Sequence, residues 1–410
     1  MIRNLPALFT LSLFCFLFSC SSPQPKQPRA GVWRASLEME AGELPFGLEI
    51  DPSGDQLKAY LINAEERILI DDIKREGDTL VIPMHIFNND IRAYLSGDSL
   101  LTGTFNKYLP EKTVSLPFKA EAGKKYRFNP TSYAAEVNLS GKWATTFYKS
   151  NGDSSLAIGL FDQKDQYIKG TFLTSTGDYR YLEGQVSGNT LFLSAFDGDH
   201  AFLFQASLLA DSVLRGEFWS GKTGYRRWEA RRNELATLPL ADTLTRIASA
   251  DSSFQISFPE YRGGNLEYPS ASYQNKVVIV QILGTWCPNC MDETIFLRDW
   301  LKERNYQDVE VIGLAFEYDK DFSKASERVK RMAERLQIPY AIAIAGVPDS
   351  TASAKLPMIS KIKAYPTSII LDKKGKIRYL HTGFSGPGTG KYFEEWKESF
   401  DNKIAALLKE

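Results

Sequence analysis

The chain has 410 residues, of which 43% are hydrophobic and 24% are charged, as in ordinary globular proteins. At roughly 150 residues per domain, this length predicts two or three domains. The 49 basic and 50 acidic residues give a formal net charge of −1, which argues against a nucleic-acid partner. The three histidines and four cysteines are too scattered for a histidine-rich metal site or a large disulfide framework, so we predict no metal and no cofactor.

The first residues have the layout of a signal peptide. Arg3 is the only charge within residues 1–19, and an apolar run covers residues 5–18. This run is shorter than the about 20 residues that a membrane-spanning helix needs. We therefore predict that residues 1–19 are a signal peptide and not a permanent anchor.

Cys20 follows a short sequence that resembles a bacterial lipobox. Ser19 is the small residue that this motif places before the lipidated cysteine, and the polar, proline-rich residues 20–30 look like a lipoprotein tether. The resemblance implies lipidation of Cys20 and a periplasm-facing protein that is anchored to a membrane of the bacterial cell envelope. The alternative is ordinary secretion with loss of Cys20.

Residues 31–233 show alternating apolar runs that glycine, aspartate and asparagine turns interrupt every 8 to 12 residues, a pattern typical of an all-β meander. The pattern Asp-Ser-x-Leu-x-Gly-x-Phe occurs twice, at residues 98–105 and 211–218. The repeat predicts two copies of one β unit, at residues 31–125 and 141–233. Each copy is predicted to be an up-and-down barrel or a compact sandwich, and the pattern alone does not separate the two.

The β copies carry few chemical signals. Their four tryptophans either fill the cores, as aromatic residues in strands usually do, or line a ligand pocket; they are Trp33, Trp143, Trp219 and Trp228. His85 and His200 have no carboxylate or thiol partner at ligand spacing, so we interpret them as solvated or core histidines. Residues 234–252 are predicted to be a linker to a different domain.

Residues 253–410 change to an α/β pattern. A nearly continuous apolar run at residues 276–283 predicts a buried strand, and helical and strand patterns then alternate up to a last helix from Lys391. This order predicts helices on both sides of a sheet. Residues 383–390 are rich in glycine and are predicted to form a flexible loop.

Cys287 and Cys290 are spaced i, i+3 where a predicted strand meets a predicted helix. The free N–H groups and the dipole of a helix N-terminus stabilise a thiolate, so Cys287 is predicted to attack and Cys290 to resolve the mixed disulfide. Trp286 would shield one side of the pair. A zinc site would need two more ligands that the sequence does not offer at the required spacing, and a static structural disulfide is the other alternative.

Two motifs resemble the TlpA/ResA-like thiol–disulfide oxidoreductases of the thioredoxin fold. They are Trp-Cys-Pro-Asn-Cys at residues 286–290 and Tyr-Pro-Thr at residues 365–367 ahead of a strand. The resemblance implies that Pro366 follows a cis peptide bond and packs against the active-site disulfide. It also implies a redox disulfide between Cys287 and Cys290, with five supporting residues: Trp286, Pro288, Asn289, Tyr365 and Thr367.

Two residues depart from ordinary thioredoxins. Gln281 stands where they carry a buried acid six residues before the first cysteine, and an amide cannot take a proton from the resolving thiol. Glu293, three residues after the second cysteine, occupies the position of a glutamate in the TlpA/ResA-like proteins and is on the helical face of Cys290. It is either the replacement base or a carboxylate that only stabilises the first helical turn. Thr294 stands where the TlpA/ResA-like proteins often have a proline that kinks the helix.

We therefore predict an envelope thiol–disulfide oxidoreductase that reduces disulfides of exported, cysteine-containing proteins and receives electrons from a membrane protein. The alternative is a ligand- or partner-binding envelope lipoprotein with an accessory redox domain. A thiol peroxidase is disfavoured because no threonine precedes a lone cysteine at the needed spacing. Glu317 and His381 are predicted to have no catalytic role, Glu317 being a solvated strand-end carboxylate and His381 lacking a visible partner.

If Cys20 carries the lipid, the Cys20→Ala variant is expected to leave the membrane fraction and to lose the mass of the acyl groups. Cys15→Ala is the matched control and should stay membrane-bound, because Phe14 precedes it in place of a small residue. Fractionation and intact-mass measurement distinguish the variants. Equal membrane association of the Cys20→Ala protein would refute the anchor.

Overall fold

The computed structural model describes residues 27–128, 133–239, 241–248 and 253–410. The predicted signal peptide at residues 1–19, the proposed lipidation site Cys20 and residues 21–26 of the tether lie outside the described residues. Within the ranges just given, no helix has the length and apolar character needed to cross a membrane.

The first sheet is an open half-barrel. Its strand order is β4-β3-β2-β1-β9-β8-β7-β6-β5, and the end strands β4 and β5 have no ladder between them in the described residues. The strands are β1 (Gly31–Met39), β2 (Gly42–Asp51), β3 (Lys58–Asn63), β4 (Glu66–Ile70), β5 (Lys74–Glu76), β6 (Thr79–Pro83), β7 (Asn89–Ser96), β8 (Leu100–Leu109) and β9 (Lys112–Ala122).

The second sheet closes on itself as a barrel, because β11 pairs with β12 as well as with β10. Its strands are β10 (Gly141–Tyr148), β11 (Ser154–Lys164), β12 (Tyr167–Thr174), β13 (Gly177–Asp178), β14 (Leu182–Ser187), β15 (Thr190–Phe196), β16 (Ala201–Leu208), β17 (Val213–Ser220) and β18 (Gly224–Arg232). Stacked and edge-to-face rings fill the interior, among them Phe147, Phe172, Phe204 and Trp228. The predicted pair of all-β meanders is confirmed, one as a half-barrel and one as a barrel.

The first strand of each β sheet carries a tryptophan at its third position, and the two make the same hydrogen bond. Trp33 in β1 and Trp143 in β10 each donate a hydrogen bond from Nε1 to the carbonyl oxygen four residues earlier, at 2.9 and 2.8 Å. Both indoles are buried, as is that of Trp228, which supports the core-filling interpretation for these three. The domain limits given above remain our proposal.

The C-terminal region has the predicted thioredoxin-like fold. A hairpin of β19 (Ile256–Pro259) and β20 (Asn265–Tyr268) precedes a sheet of order β23-β22-β21-β24-β25. The sheet strands are β21 (Val277–Leu283), β22 (Val309–Phe316), β23 (Ala341–Gly346), β24 (Thr367–Leu371) and β25 (Ile377–Thr382), and the helices are α1 (Pro288–Arg304), α2 (Phe322–Arg335) and α3 (Lys391–Lys409). Short 3₁₀ turns occupy Ala241–Thr243, Ala271–Tyr273, Ala352–Lys355 and Pro387–Thr389.

The prediction of helices on both sides of this sheet is wrong. All three helices pack on one face of the sheet, which includes Ile279 and Val311. The other face, which includes Val280 and Ile312, contacts the β19–β20 hairpin and residues 352–362. The parallel strands β21, β22 and β23 follow one another across the sheet. Right-handed crossovers in one direction place both connecting helices, α1 and α2, on the same face.

The three units pack against one another. Phe46 of the half-barrel and Phe196 of the barrel have ring centroids 4.6 Å apart. Arg335 of α2 forms ion pairs with Asp71 and Asp72 of the half-barrel at 2.9 and 2.7 Å. The β sheets are therefore packed onto each other and onto the C-terminal region.

Candidate active site

Cys287 and Cys290 form a disulfide at the N-terminus of α1. Cys287 is the N-cap residue, and its Sγ accepts a hydrogen bond from the Cys290 backbone N–H at 3.2 Å. Pro288 follows in the first helical turn, where its missing N–H costs no hydrogen bond. Cys287 is 6% exposed and Cys290 is fully buried. An incoming thiol or disulfide can thus reach only the first sulfur.

The residues of the second motif lie beside the disulfide. The peptide bond between Tyr365 and Pro366 is cis, as the resemblance implies, and the Tyr365 carbonyl oxygen is 3.5 Å from Cys287 Sγ. Thr367 begins β24 and donates from Oγ1 to the Ala364 carbonyl oxygen at 2.8 Å. Each of these contacts fixes the backbone next to the reactive sulfur.

Trp286, which we predict to shield one side of the cysteine pair, packs against residues at the end of β22 and against Tyr365. Its Nε1 donates to the Phe316 carbonyl oxygen at 2.9 Å, and its ring centroid lies 4.7 Å from that of Tyr318 and 5.3 Å from that of Tyr365. These contacts hold the indole over the turn between β21 and α1.

Glu293 is buried behind the cysteines. Its carboxylate accepts hydrogen bonds from Gln281 Nε2 at 2.9 Å and from Ser368 Oγ at 2.7 Å. Burial raises the pKa of Glu293, against the lowering effect of these two donors. The alternative of a carboxylate that only stabilises the first helical turn does not fit, because α1 begins at Pro288 and Glu293 lies beyond its first turn.

The departures from ordinary thioredoxins fit together. Gln281 Oε1 accepts hydrogen bonds from Thr294 Oγ1 and from Tyr340 O–H, each at 3.1 Å. The Nε2 of the same amide donates to the Glu293 carboxylate. Thr294 lies within an uninterrupted α1. The neutral amide at position 281 therefore orients the acid at position 293 instead of acting as one.

Glu317 is not the solvated carboxylate that we predicted. It is fully buried after β22 and accepts hydrogen bonds from the backbone N–H and Oγ1 of Thr285, at 2.8 and 2.7 Å. Burial raises its pKa to about 7, against the lowering effect of these donors. Thr285 lies two residues before Cys287, so Glu317 holds the loop that carries the motif.

Arg180 of the barrel reaches the first turn of α1. It is buried and ion-paired to carboxylates from three parts of the chain: Glu66 of the half-barrel, Asp197 of the barrel at 3.3 Å, and Asp292 of α1. Its Nη1 also donates to the Pro288 carbonyl oxygen at 3.0 Å. Burial raises the pKa of Asp292 to about 7 even though Arg180 opposes this shift. Nothing in the sequence pattern indicated this cluster.

Residues 383–390 are not the flexible loop that we predicted, because they pack between the barrel and α1. Gly383 has φ +83°, and a Cβ there would lie 2.2 Å from the Thr176 carbonyl carbon. The Asn289 amide donates to the carbonyl oxygens of Asp178 and Phe384, both at 3.3 Å. Glycine is required where the two backbones come this close.

Two histidines have partners that the sequence did not reveal. His200 Nδ1 is 3.0 Å from Asp197 Oδ2. His381 Nδ1 is 2.6 Å from Asp242 Oδ1 of the linker, and Trp396 donates to its Nε2 at 3.0 Å. His85 is half-buried, and this burial lowers its pKa to about 4.

Comparison with known proteins bears on the C-terminal region. Residues 250–394 match the Redoxin family. The chain is 27% identical over 166 residues to thiol:disulfide interchange protein DsbE of Escherichia coli K12, which spans 39% of the chain and 78% of that protein. It is 25% identical over 141 residues to thiol-disulfide oxidoreductase ResA of Geobacillus thermodenitrificans, spanning 34% and 72%.

A solved structure of a thioredoxin-family thiol:disulfide interchange protein from Chlorobium tepidum covers 39% of this chain and 97% of its own, at 21% identity and a TM-score of 0.31. The predicted resemblance to thiol–disulfide oxidoreductases is confirmed by the sequence relatives and the Redoxin match. The C-terminal region is therefore similar to thiol–disulfide oxidoreductases, and it carries the disulfide between Cys287 and Cys290.

The raised pKa of Glu293 predicts a pH-dependent cost to stability. Ionising this buried group costs more in the folded than in the unfolded protein, so the wild type should lose stability relative to Glu293→Gln as pH rises from its ordinary pKa of 4.5 through the folded value. Each pKa unit of difference contributes about 1.4 kcal/mol. Urea unfolding between pH 4 and 8 measures this loss.

Glu303→Gln is the matched control, because Glu303 is an exposed glutamate on the same helix. Its unfolding free energy should follow the wild-type pH dependence. If Glu293→Gln follows it as well, Glu293 is not held with a raised pKa.

Proposed function

We propose that the protein reduces disulfide bonds of exported, cysteine-containing proteins in the cell envelope. The observation that carries the proposal is Cys287 at the N-cap of α1, beside Pro366, with Cys290 buried beneath it. A sulfur in this position is the attacking group, because helix N–H groups stabilise its thiolate. The names of the DsbE and ResA relatives support disulfide exchange as the reaction.

The reaction transfers two electrons and two protons. The Cys287 thiolate attacks one sulfur of the substrate disulfide, and the other substrate sulfur leaves as a thiolate that takes a proton. Cys290 loses its proton and attacks Cys287 Sγ, which closes the protein disulfide and releases the second substrate thiol. A dithiol protein of the membrane then reduces the Cys287–Cys290 disulfide by the same exchange in reverse.

Glu293 is proposed to take the proton of Cys290 during resolution. It is one helical turn from Cys290, and its raised pKa makes it a stronger proton acceptor than an ordinary carboxylate. Gln281 and Ser368 act as positioning residues, because they hold the carboxylate and do not contact the reacting sulfurs in the described geometry.

The charges on the buried side of α1 support reduction as the direction. Strong oxidants over-stabilise the reduced thiolate, usually with positive charge near the motif. Here the cation Arg180 is outnumbered by its three carboxylates, and the group stays negative even when Asp292 is protonated. Negative charge beside α1 destabilises the Cys287 thiolate, so it opposes the strong stabilisation of the thiolate that oxidants need. A lipid anchor at Cys20 would keep the protein close to a membrane protein that donates electrons. The anchor and the electron donor are both part of the proposal.

In the alternative of a ligand-binding protein, the ligand would not lie at the centre of the barrel, where aromatic side chains pack against one another among the described residues. It would therefore require a site elsewhere on the β sheets. We favour the oxidoreductase.

Reduction of insulin disulfides with dithiothreitol as donor tests the chemistry. The wild type should accelerate the reaction, and Cys287→Ser should return it to the uncatalysed rate because the attacking sulfur is gone. Cys290→Ser, reduced and then freed of dithiothreitol, should accumulate a mixed disulfide between Cys287 and insulin that is visible by mass. Cys20→Ser serves as the cysteine control and should keep wild-type activity. An active Cys287→Ser protein would contradict the mechanism.

Equilibration with glutathione tests the direction. We expect a reduction potential nearer to the about −270 mV of a reducing thioredoxin than to the about −120 mV of a strong oxidant. The ratio of reduced to oxidised protein is read by alkylation and mass. A value at the oxidant end would reverse the assigned direction but leave the dithiol chemistry intact.

A further inference from the structure

Cys287 lines a cleft of about 780 Å³ between the closed barrel and the C-terminal domain. The C-terminal wall includes Trp286, Tyr318 and Tyr365, and the opposite wall is made by barrel residues. Small-molecule and peptide-side-chain sites have volumes of about 300–1,000 Å³. The cleft is therefore large enough to hold part of a substrate against the reactive sulfur.

Aromatic side chains of the barrel line this cleft. Tyr179, Phe202 and Phe218 line the cleft and contact one another, with ring centroids 5.2 to 5.5 Å apart. They form an aromatic floor that faces the dithiol. The second sheet thus offers an apolar surface where an isolated thioredoxin-like domain would be open to solvent.

The rim of the cleft is apolar as well. Leu156 and Tyr225 of the barrel are 56% and 39% exposed, and Tyr318 across the cleft is 39% exposed. Large apolar side chains that stay exposed on both sides of one opening mark a binding surface, because their contact with water is unfavourable.

One positive charge in the cleft is uncompensated. Arg226 lines the cleft and has no ion pair among the described residues, whereas Lys107 is paired with Asp199 at 2.7 Å. The remaining acid, Asp178, is buried and accepts hydrogen bonds from the backbone N–H groups of Gly386 and Arg180. An anionic group on the substrate therefore meets a cation in the cleft and no competing free carboxylate.

We propose that the closed barrel forms the second half of the substrate site, and that the cleft takes an extended polypeptide segment whose disulfide-bonded cysteine is flanked by an apolar side chain and a carboxylate. An extended segment fits, because Cys287 is almost fully covered and a folded surface cannot approach its sulfur from outside the cleft. The inference rests on the proposed reductase function and adds the substrate class.

Two synthetic peptides test the proposal with the full-length protein. Each carries phenylalanine beside a single cysteine in mixed disulfide with 2-mercaptoethanol, and they differ only in a neighbouring glutamate or lysine. The wild type should reduce the glutamate peptide with the higher kcat/KM. Arg226→Glu should reverse this preference, with a change in the ratio of about tenfold, because repulsion replaces attraction.

Arg227→Glu is the matched control, since Arg227 is the next residue of β18, is exposed and does not line the cleft. It should keep the wild-type preference. A gain for the lysine peptide in Arg226→Glu cannot arise from misfolding, because a misfolded enzyme loses both substrates. A second variant, Leu156→Ser, should raise KM for the phenylalanine peptide more than for the corresponding alanine peptide.

The outcomes separate the two proposals. Equal kcat/KM for both peptides in the wild type, or parallel losses in Arg226→Glu, would overturn the cleft assignment while turnover of hydroxyethyl disulfide by the wild type still supports the reductase. Failure of the wild type to reduce even hydroxyethyl disulfide would overturn the proposed function, and this inference with it.

Discussion

One buried guanidinium, that of Arg180, joins the three units of the described chain at a single point. It binds carboxylates from the half-barrel, the barrel and α1, so each of the three units supplies part of the charge that makes its burial possible. Removing one partner from a buried ion pair commonly costs about 3–5 kcal/mol, because an uncompensated charge remains. The first turn of α1, and with it Cys287, is thus held in place by residues more than one hundred positions earlier in the chain.

The contacts of Arg180 connect the β sheets to the helix end that carries Cys287. Arg180 also binds the Pro288 carbonyl oxygen between the two cysteines, and Asn289 is held by the barrel and by residues 383–390. The helix end that stabilises the Cys287 thiolate is therefore shaped from outside the thioredoxin-like domain. Glu293, by contrast, is positioned wholly inside that domain by Gln281 and Ser368. In the proposed mechanism, attack and resolution therefore depend on different parts of the protein.

Local sequence patterns were sufficient for the dithiol and for most elements. The alternation in residues 31–233 predicts strands because it is a property of neighbouring residues, and the spacing of Cys287 and Cys290 predicts their pairing at a helix start. The difference between an open and a closed sheet was not predictable, since it depends on whether consecutive strands pair: β11 pairs with β12, whereas β4 and β5 share no ladder in the described residues.

A different limit explains the missed site residues. Arg180 and Asp292 are 112 positions apart, and Glu317 meets Thr285 only because β21 and β22 are adjacent. Residues 383–390 have a flexible composition, but Gly383 is required there by close approach to Thr176. In each case the decisive quantity is a distance between remote segments, which composition and periodicity do not contain.

The burial of Cys290 has a kinetic consequence for the proposed reductase. Only Cys287 can be reached, and only from one side, so the reductant that regenerates the dithiol must enter by the opening that the substrate has just left. The two partners cannot occupy the protein together. Catalysis then runs as a double displacement, in which the protein alternates between a form that recognises oxidised clients and a form that recognises its donor.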